Sequence, residues 1–518
     1  MARASRKSVD VLIAGAGPTG LALALWLTKS GVSVRIVDKA PEPGTTSRAL
    51  AVQARTLEFY RQLGIAEEAV GLGLKMEAAN LWVRGEKAAR LPVGDIGKGI
   101  SPFPFVLIFP QDQHERFLIE HLGAADVEVE RPVELLGFEE TPEGVQARLK
   151  RANGREEICE ARYICGCDGA RSVMRSQLHA GFSGGTYVQL FYVADVKAKG
   201  PMLDKELHIA LDEADFLAVF PLKANGTCRL VGAVRQDGQS RQAELQWEDV
   251  SASVIERLRF EVTKVNWFST YHVHHRVAGS FRKGRAFLLG DAAHIHSPAG
   301  GQGMNTGIGD AFNLAWKLAA VVRGRADAKL LDTYEPERIG FAKKLVATTD
   351  QVFTFATRPG FVAKEVRTEL APRVIPALFG TDMSRQFAFR TVSQTGIQYH
   401  QSKLSRGGAG HVVGGDRLPW SGEDSCPGGG DNYTPLMSLD WQVHVYGQAS
   451  NALQDVCAAW EIPLREFPWN DAFWRCGFMH DALYLVRPDG HIALAEPNGR
   501  AQALERYLES WGIGPGHD

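Results

Sequence analysis

Short apolar runs punctuated by glycine open this chain. Val9–Ala14 is β-branched and apolar, the pattern of a strand buried on both faces. GAGPTG follows, then Leu21–Lys29 reads as a helix with Gly31 as its stop signal. Val34–Val37 is a second buried strand and ends at Asp38, so the pattern predicts one βαβ unit. From Phe182 to about Val277 the pattern changes. TYVQLFYVADVKA, FLAVFPL and CRLVGAVR are alternating or β-rich, with Asn225-Gly226 as a turn, and predict a mostly antiparallel sheet. Phe287–Gly290 is another short buried strand, and Gly309 to about Val322 has helical periodicity. Gly407–Gly430 is rich in glycine and reads as a loop and boundary. Beyond it, WQVHVYG and ALYLVRPDGHIAL read as strands and the segment from about Ala501 as a helix, a small α/β unit of its own.

Composition narrows the function classes. With 518 residues the chain has room for two to four domains at roughly 150 residues each. A net charge of −2 gives no reason to expect nucleic acid or an anionic membrane as partner. The seven cysteines are odd in number and irregularly spaced, which fits a reducing cytoplasm and no disulfide framework. Cys165-x-Cys167 is read as part of a strand, and no metal is expected there. Arg3, Arg6 and Lys7 before the first apolar run suggest a signal peptide or anchor, but Asp10, Gly15, Gly17, Pro18 and Gly20 interrupt that run, so strand–turn–helix is the expectation.

The chemistry starts at Gly15-Ala16-Gly17-Pro18-Thr19-Gly20. The first glycine permits a tight turn, the second lets backbone approach a pyrophosphate, and the third allows close packing of helix on strand. The helix N-terminus offers free N–H groups and a positive dipole end to phosphates. Asp38, 18 residues beyond Gly20, is placed to accept hydrogen bonds from ribose hydroxyls. Dinucleotide binding follows from strand, glycines, helix and acid together, while FAD and NAD remain unresolved by this pattern alone.

Two later motifs carry a resemblance. Cys167-Asp168-Gly169-Ala170-Arg171-Ser172 with Arg175, and Gly290-Asp291-Ala292-Ala293-His294 running on through SPAGGQGMNTGIGDAFNLAWKL, occur in order after the glycine motif. Together they resemble the group A flavoprotein monooxygenases, the p-hydroxybenzoate, phenol and aromatic polyketide hydroxylase family, over roughly residues 8–340. The resemblance implies an α/β fold: a Rossmann-like FAD-binding domain, an inserted antiparallel-sheet substrate domain and a C-terminal thioredoxin-like domain. The expected boundaries are 1–180 for the first part of the FAD-binding domain, with a substrate-domain excursion near 76–105, and 181–277 for the substrate sheet. The second part of the FAD-binding domain is expected at 278–350, a helical linker at 351–404 and the C-terminal domain at 405–518. That last domain matches best over Leu485–Ala493 and has no C-x-x-C, so no thiol–disulfide role is expected of it.

The resemblance also implies cofactor contacts. Asp291 maps to the aspartate that meets the ribityl and pyrophosphate region of FAD, Arg48 and Gln111 map to FAD-contacting residues, and Asp168 and Arg175 to FAD and pyridine-nucleotide contacts. Gly15, Gly17, Pro18, Thr19, Gly20, Asp38, Lys39, Gly290, Pro298, Gly301, Gly303, Met304 and Asn305 complete the expected set. The loop Pro298–Gly303 lacks side chains where a ring must come close, and the helix after it points a positive end at the flavin pyrimidine. His294 and His296 are read as packing and hydrogen-bonding residues. His272 and His274, alternate residues of a strand, are read as solvated or satisfied.

The implied reaction is hydroxylation of an aromatic or polyketide-like molecule by NADPH or NADH and O2, through a flavin C4a-hydroperoxide. Epoxidation, Baeyer–Villiger oxidation and oxidative decarboxylation are the alternatives on the same flavin, and a non-catalytic flavin-binding protein is the alternative of another class. No W-x-W-x-I-P segment points to a halogenase. A homodimer is compatible with this reading. One departure is notable: where some phenol-type relatives carry an acid or histidine that deprotonates the substrate, this chain has Leu50, as aromatic polyketide hydroxylases often have an apolar residue. The catalytic base, if one is used, is not identified.

Overall fold

The computed structural model describes residues 8–44, 49–211, 216–234, 246–249, 260–297, 301–357, 379–422 and 430–515. Its first sheet is built around four parallel strands, β1 (Ser8–Ala14), β2 (Val34–Val37), β3 (Glu156–Gly166) and β4 (Ala286–Leu288), in spatial order β4-β3-β1-β2. Val11–Ala14, Ile36, Val37, Ile164, Cys165, Phe287 and Leu288 are all buried, which is why these strands read as continuous apolar runs. The register pairs Ala14 with both Gly166 and Val37, and Gly166 with Leu288. The four strands therefore end at one level.

Helix α1 (Pro18–Lys29) packs against α2 (Gln111–Gly123) and α3 (Gly303–Val322). It begins at Pro18, three residues before the apolar pattern suggests. Proline is well suited to the first helical position, where its missing N–H has no partner to lose. Similarly, α3 begins at Gly303 rather than Gly309, because three glycines in its first two turns mask the periodicity.

The second sheet has eight strands: His294–Ile295, Glu261–Val277, Ser183–Lys199, Thr227–Val234, Phe216–Pro221, Leu207–Leu211, Ala78–Val83 and Glu86–Pro92, in that spatial order. It is antiparallel except where Leu207–Leu211 pairs with Ala78–Val83. The mixed α/β class expected from the sequence is thus observed.

A third, mixed sheet of six strands contains Gln442–Tyr446, Leu464–Phe467, Leu483–Val486 and Ile492–Glu496. It also takes in Arg406–Ala409 and Val412–Val413, which lie in the glycine-rich stretch expected to be loop. Gly407 has φ +70° and a Cβ there would lie 2.2 Å from the Ala495 carbonyl oxygen. Its bareness serves close strand packing rather than flexibility. Cys426 lies outside the described residues. The six described cysteines are free, and no helix among the described residues is long and apolar enough to cross a membrane.

Buried charge joins this third sheet to α3 and to the long helix that follows it. Glu337, on α4 (Tyr334–Thr357), accepts both arms of Arg487 at 2.9 and 3.0 Å, Lys317 Nζ at 2.8 Å, Asn313 Nδ2 at 2.7 Å and Ser402 Oγ at 2.6 Å. Asp489 takes the Arg487 guanidinium again and Trp316 Nε1 at 3.1 Å. Every lone pair of Glu337 is used, the condition under which a buried charge is tolerable. Burial pushes its carboxyl up, yet the Arg487 and Lys317 charges hold it down at about 2.

Glu337→Gln is expected to cost about 3–5 kcal/mol at neutral pH, because it strips Lys317 of its buried counter-charge. A depressed carboxyl contributes stability that is present above its unfolded value of about 4.3 and is lost as pH falls toward about 2. Urea unfolding across that window should therefore be less pH-dependent in the variant than in the parent.

Candidate functional site

The level ends of the parallel strands put the sequence motifs side by side. Directly beyond them come Gly15–Gly20 after β1, Asp38 after β2, Cys167-Asp168 after β3 and Gly290-Asp291 after β4. Backbone hydrogen bonds continue the sheet into these turns, Gly15 N–H to Val37 O at 2.8 Å, Cys167 N–H to Ala14 O at 2.8 Å and Leu289 N–H to Gly166 O at 3.0 Å. Ligands bind open α/β sheets at this carboxyl edge.

The three glycines of the first turn behave differently. A Cβ on Gly15, at φ +104°, would lie 2.1 Å from Cys167 O, and one on Gly20 would lie 2.0 Å from Gly15 O. Gly17, at the N-cap of α1, faces open space. Two glycines are thus demanded by the fold and one leaves a bare surface for a ligand. Thr19 packs its hydroxyl into the gap left by Gly290 and Gly307, where a Cβ would lie 2.6 and 2.2 Å from its Oγ1. Gly307 was not among the expected residues.

Asp38 is partly exposed. Its Oδ2 accepts from Ala16 N–H at 2.7 Å and its Oδ1 from Ala40 N–H at 2.8 Å, with Arg131 Nη1 at 3.3 Å from Oδ1. Lys39 beside it is exposed. Asp168 accepts from the N–H groups of Val173 and Met174 through Oδ2, while its Oδ1 is buried without a hydrogen-bond partner among the described residues. Arg175 spends its guanidinium on Ala292 O at 3.0 Å and Ala170 O at 2.7 Å and stacks on Phe182, tying the Asp168 turn to the Asp291 turn. Asp291 is exposed on a single 3-10 turn, Gly290–Ala292.

Gln111 starts α2, donating to Glu115 Oε1 at 2.8 Å and accepting from Ala49 N–H at 3.4 Å, while Glu115 accepts from Gly44 N–H at 3.3 Å. This pair holds both described ends of the stretch that contains Arg48. Arg48 and Pro298 themselves lie outside the described residues. Gly301, at φ +63°, lies against Ala51, and Gly303 opens α3 near His296. Met304 Sδ receives His114 Nδ1 at 3.3 Å. The Asn305 side chain is fully committed within the protein: it accepts from Gln53 N–H and Thr56 Oγ1 and donates to the carbonyls of Ala51 and Gly301. His296 donates from Nδ1 to Ser297 O at 2.8 Å, which leaves Nε2 an acceptor, buried and without a partner among the described residues.

A family model described as an FAD binding domain matches residues 8–349, most of the chain. The chain belongs to this family. A 6-methylpretetramide 4-monooxygenase of Streptomyces rimosus is 38% identical over 71% of the chain, which spans 64% of that relative's length. A rifampicin monooxygenase of Rhodococcus hoagii is 33% identical over 97% of the chain and 98% of its own length. The solved structure of an anhydrotetracycline hydroxylase from Streptomyces rimosus superposes with a TM-score of 0.80 at 28% identity, over 99% of this chain and 100% of that one. The chain is accordingly an FAD-dependent enzyme of the flavin monooxygenase kind.

The residues at the carboxyl edge fit FAD. Gly17 offers a bare surface, Asp38 an acid within reach of a ribose, and Asp168 Oδ1 and His296 Nε2 buried acceptors that lack a donor. Among the described residues no cluster of metal-ligating side chains accompanies them. Two neighbours escaped the sequence reading. Arg131, some 90 residues away in sequence, bonds Asp38 and the carbonyls of Ala16, Ala40 and Glu42, a long-range contact with no local signal. Asp310 was legible in principle: with Asn313 and Lys317 it forms a polar stripe at helical spacing on a helix that is otherwise apolar.

Gly17→Ala should leave apo stability within about 1 kcal/mol, since its backbone is ordinary and its Cβ meets nothing. It should still weaken FAD binding, because the added methyl stands where the pyrophosphate approaches. Gly20→Ala should destabilise the apoprotein itself. Thermal unfolding of the apoprotein and fluorescence titration with FAD separate the two, and unaltered FAD affinity in Gly17→Ala would refute the placement.

Proposed function

We propose that this enzyme hydroxylates an aromatic, polyketide-like small molecule, with NADPH or NADH as electron donor and O2 as the second substrate. The observation that carries the reading is the convergence of four motif turns at the carboxyl edge of one parallel sheet, with strand Glu261–Val277 of the second sheet joined to it through His294–Ile295. Several relatives bear the names of polyketide-derived substrates, a tetracycline precursor and rifampicin among them. Bound FAD supplies the redox chemistry that takes electrons from the nicotinamide and activates O2.

The chain's own residues bind, orient and exclude water. The first-turn glycines and the N-terminus of α1 receive the pyrophosphate, and Asp38 the ribose, held ready by Ala16 and Ala40. Asp291, Arg48 and Gln111 are proposed to bind the cofactor between its phosphates and its ring. The N-terminus of α3 puts a positive dipole end beside Gly301 and Gly303, suited to a flavin that gains negative charge on reduction. The free cysteines among the described residues support a cytoplasmic enzyme.

Leu50 lies where the flavin-binding part meets the second sheet. It is buried with Met76 and Ile108, against Leu74, Leu207 and Phe220. No proton can be taken there, so its part is to close an apolar wall against the substrate. The purified protein should be yellow and release FAD on acid precipitation, and a screen of polyketide-like phenols should find one that stimulates NAD(P)H oxidation. With that substrate, Leu50→Ala should raise KM and release more hydrogen peroxide per NAD(P)H without moving the pH profile of kcat. Leu50→Asp should weaken binding, since it sets a carboxylate in an apolar cluster. Faster hydroxylation by Leu50→Asp would contradict this role.

A further inference from the structure

Behind the Gly290–Asp291 turn sits a carboxylate with no access to solvent. Asp310, on α3, is 0% exposed. Its Oδ2 accepts from Gly290 N–H at 3.0 Å and meets His294 Nε2 at 2.7 Å, while Oδ1 accepts from Arg338 Nε at 2.6 Å. Arg338, on α4, donates further to Thr306 O at 3.1 Å and Tyr399 OH at 2.9 Å. Burial pushes the Asp310 carboxyl up, and the Arg338 charge beside it brings it below the ordinary range, so it is an anion at neutral pH.

A buried anion beside a site for an anionic pyrophosphate needs a reason. Gly290 stands at φ +57°, one of several conformations open to a glycine, so the geometry of the turn is set by its hydrogen bonds and packing. The Asp310 oxygen grips the N–H of that residue and, through His294, the far end of the same turn. Arg338 is the buried counter-ion to that charge. Its neighbour Glu337 is the anion that binds Arg487 of the third sheet, and the Tyr399 ring lies 4.5 Å from the His491 ring. The third sheet, α4 and the motif turn are thereby one continuous polar structure.

We infer that Asp310 is a positioning residue for FAD: with Arg338 as its fixed counter-ion, it sets the Gly290–Asp291 turn so that Asp291 meets the cofactor. The inference rests on the reading of Asp291 as a cofactor contact. It gives the third sheet, which lacks a C-x-x-C, a part in cofactor retention through α4.

A double-mutant cycle on FAD affinity tests this, read by fluorescence titration of the apoprotein alongside its unfolding midpoint. Asp310→Asn should raise the FAD Kd at least about tenfold, the effect of a lost charge-assisted hydrogen bond. Combined with Asp291→Ala the losses should not add, whereas combined with Asp38→Ala, at the other end of the cofactor, they should. A general loosening of the fold would add equally with both and would overturn the inference, as would an unchanged Kd. If Asp291→Ala alone leaves FAD affinity intact, the cofactor reading of Asp291 fails instead. Should Asp310→Asn not fold, Arg338→Lys, which keeps the counter-charge and loses guanidinium hydrogen bonds, should give the same pattern of coupling.

Discussion

The first turn of the chain threads a gap that admits no side chain. Cys167 O lies 2.1 Å from where a Cβ on Gly15 would stand, and Gly15 O lies 2.0 Å from where one on Gly20 would stand. That close passage seats α1 on the sheet, aligns the end of β1 with those of its neighbours and so brings four separate turns to one edge. Gly307 extends the same constraint to α3, whose bare surface receives Thr19. Without this packing the acids Asp38, Asp168 and Asp291 would not stand together at one edge of the sheet.

Buried charge provides the second layer of organisation. α3 is apolar over most of its length but carries Asp310, Asn313 and Lys317 on the side that meets Glu337 and Arg338 of α4. Arg417 reaches Glu58, and Arg55 reaches the Asp489 carbonyl, so the third sheet is held at a second point as well. Ion pairs buried this deeply contribute little net stability compared with apolar packing of the same volume. Their value here is orientation, because each permits one geometry and excludes a slid or rotated contact.

Much of this was legible in the sequence where the signal is local. The glycine turn, Asp38 and the short buried strands follow from spacing and side-chain type, because each acts within a few residues of its neighbours. The apolar periodicity places the helix starts late, at Leu21 and Gly309 in place of Pro18 and Gly303, since proline and glycine look like breakers until their partners are known. The strand Arg406–Ala409 reads as loop for the same reason, its Gly407 being demanded by Ala495 nearly ninety residues away. Arg131 and Arg338 act through distant segments, and Arg487 bonds Glu337, 150 residues away, as well as the nearby Asp489; no local pattern marks the distant contacts. The polar side-chain atoms of Asn305 and Arg175, expected to meet the cofactor, bond backbone groups and a neighbouring side chain of the protein itself.

The central claim is that a flavin held at this edge delivers one atom of molecular oxygen to an aromatic ring. The most direct test is a turnover with isotopically heavy O2 in ordinary water, followed by mass spectrometry of the product. One heavy oxygen atom in the hydroxylated product, with stoichiometric NAD(P)H consumption, is the predicted result. A product whose new oxygen comes from water, or NAD(P)H oxidation that yields only hydrogen peroxide with every substrate that stimulates it, would contradict the account.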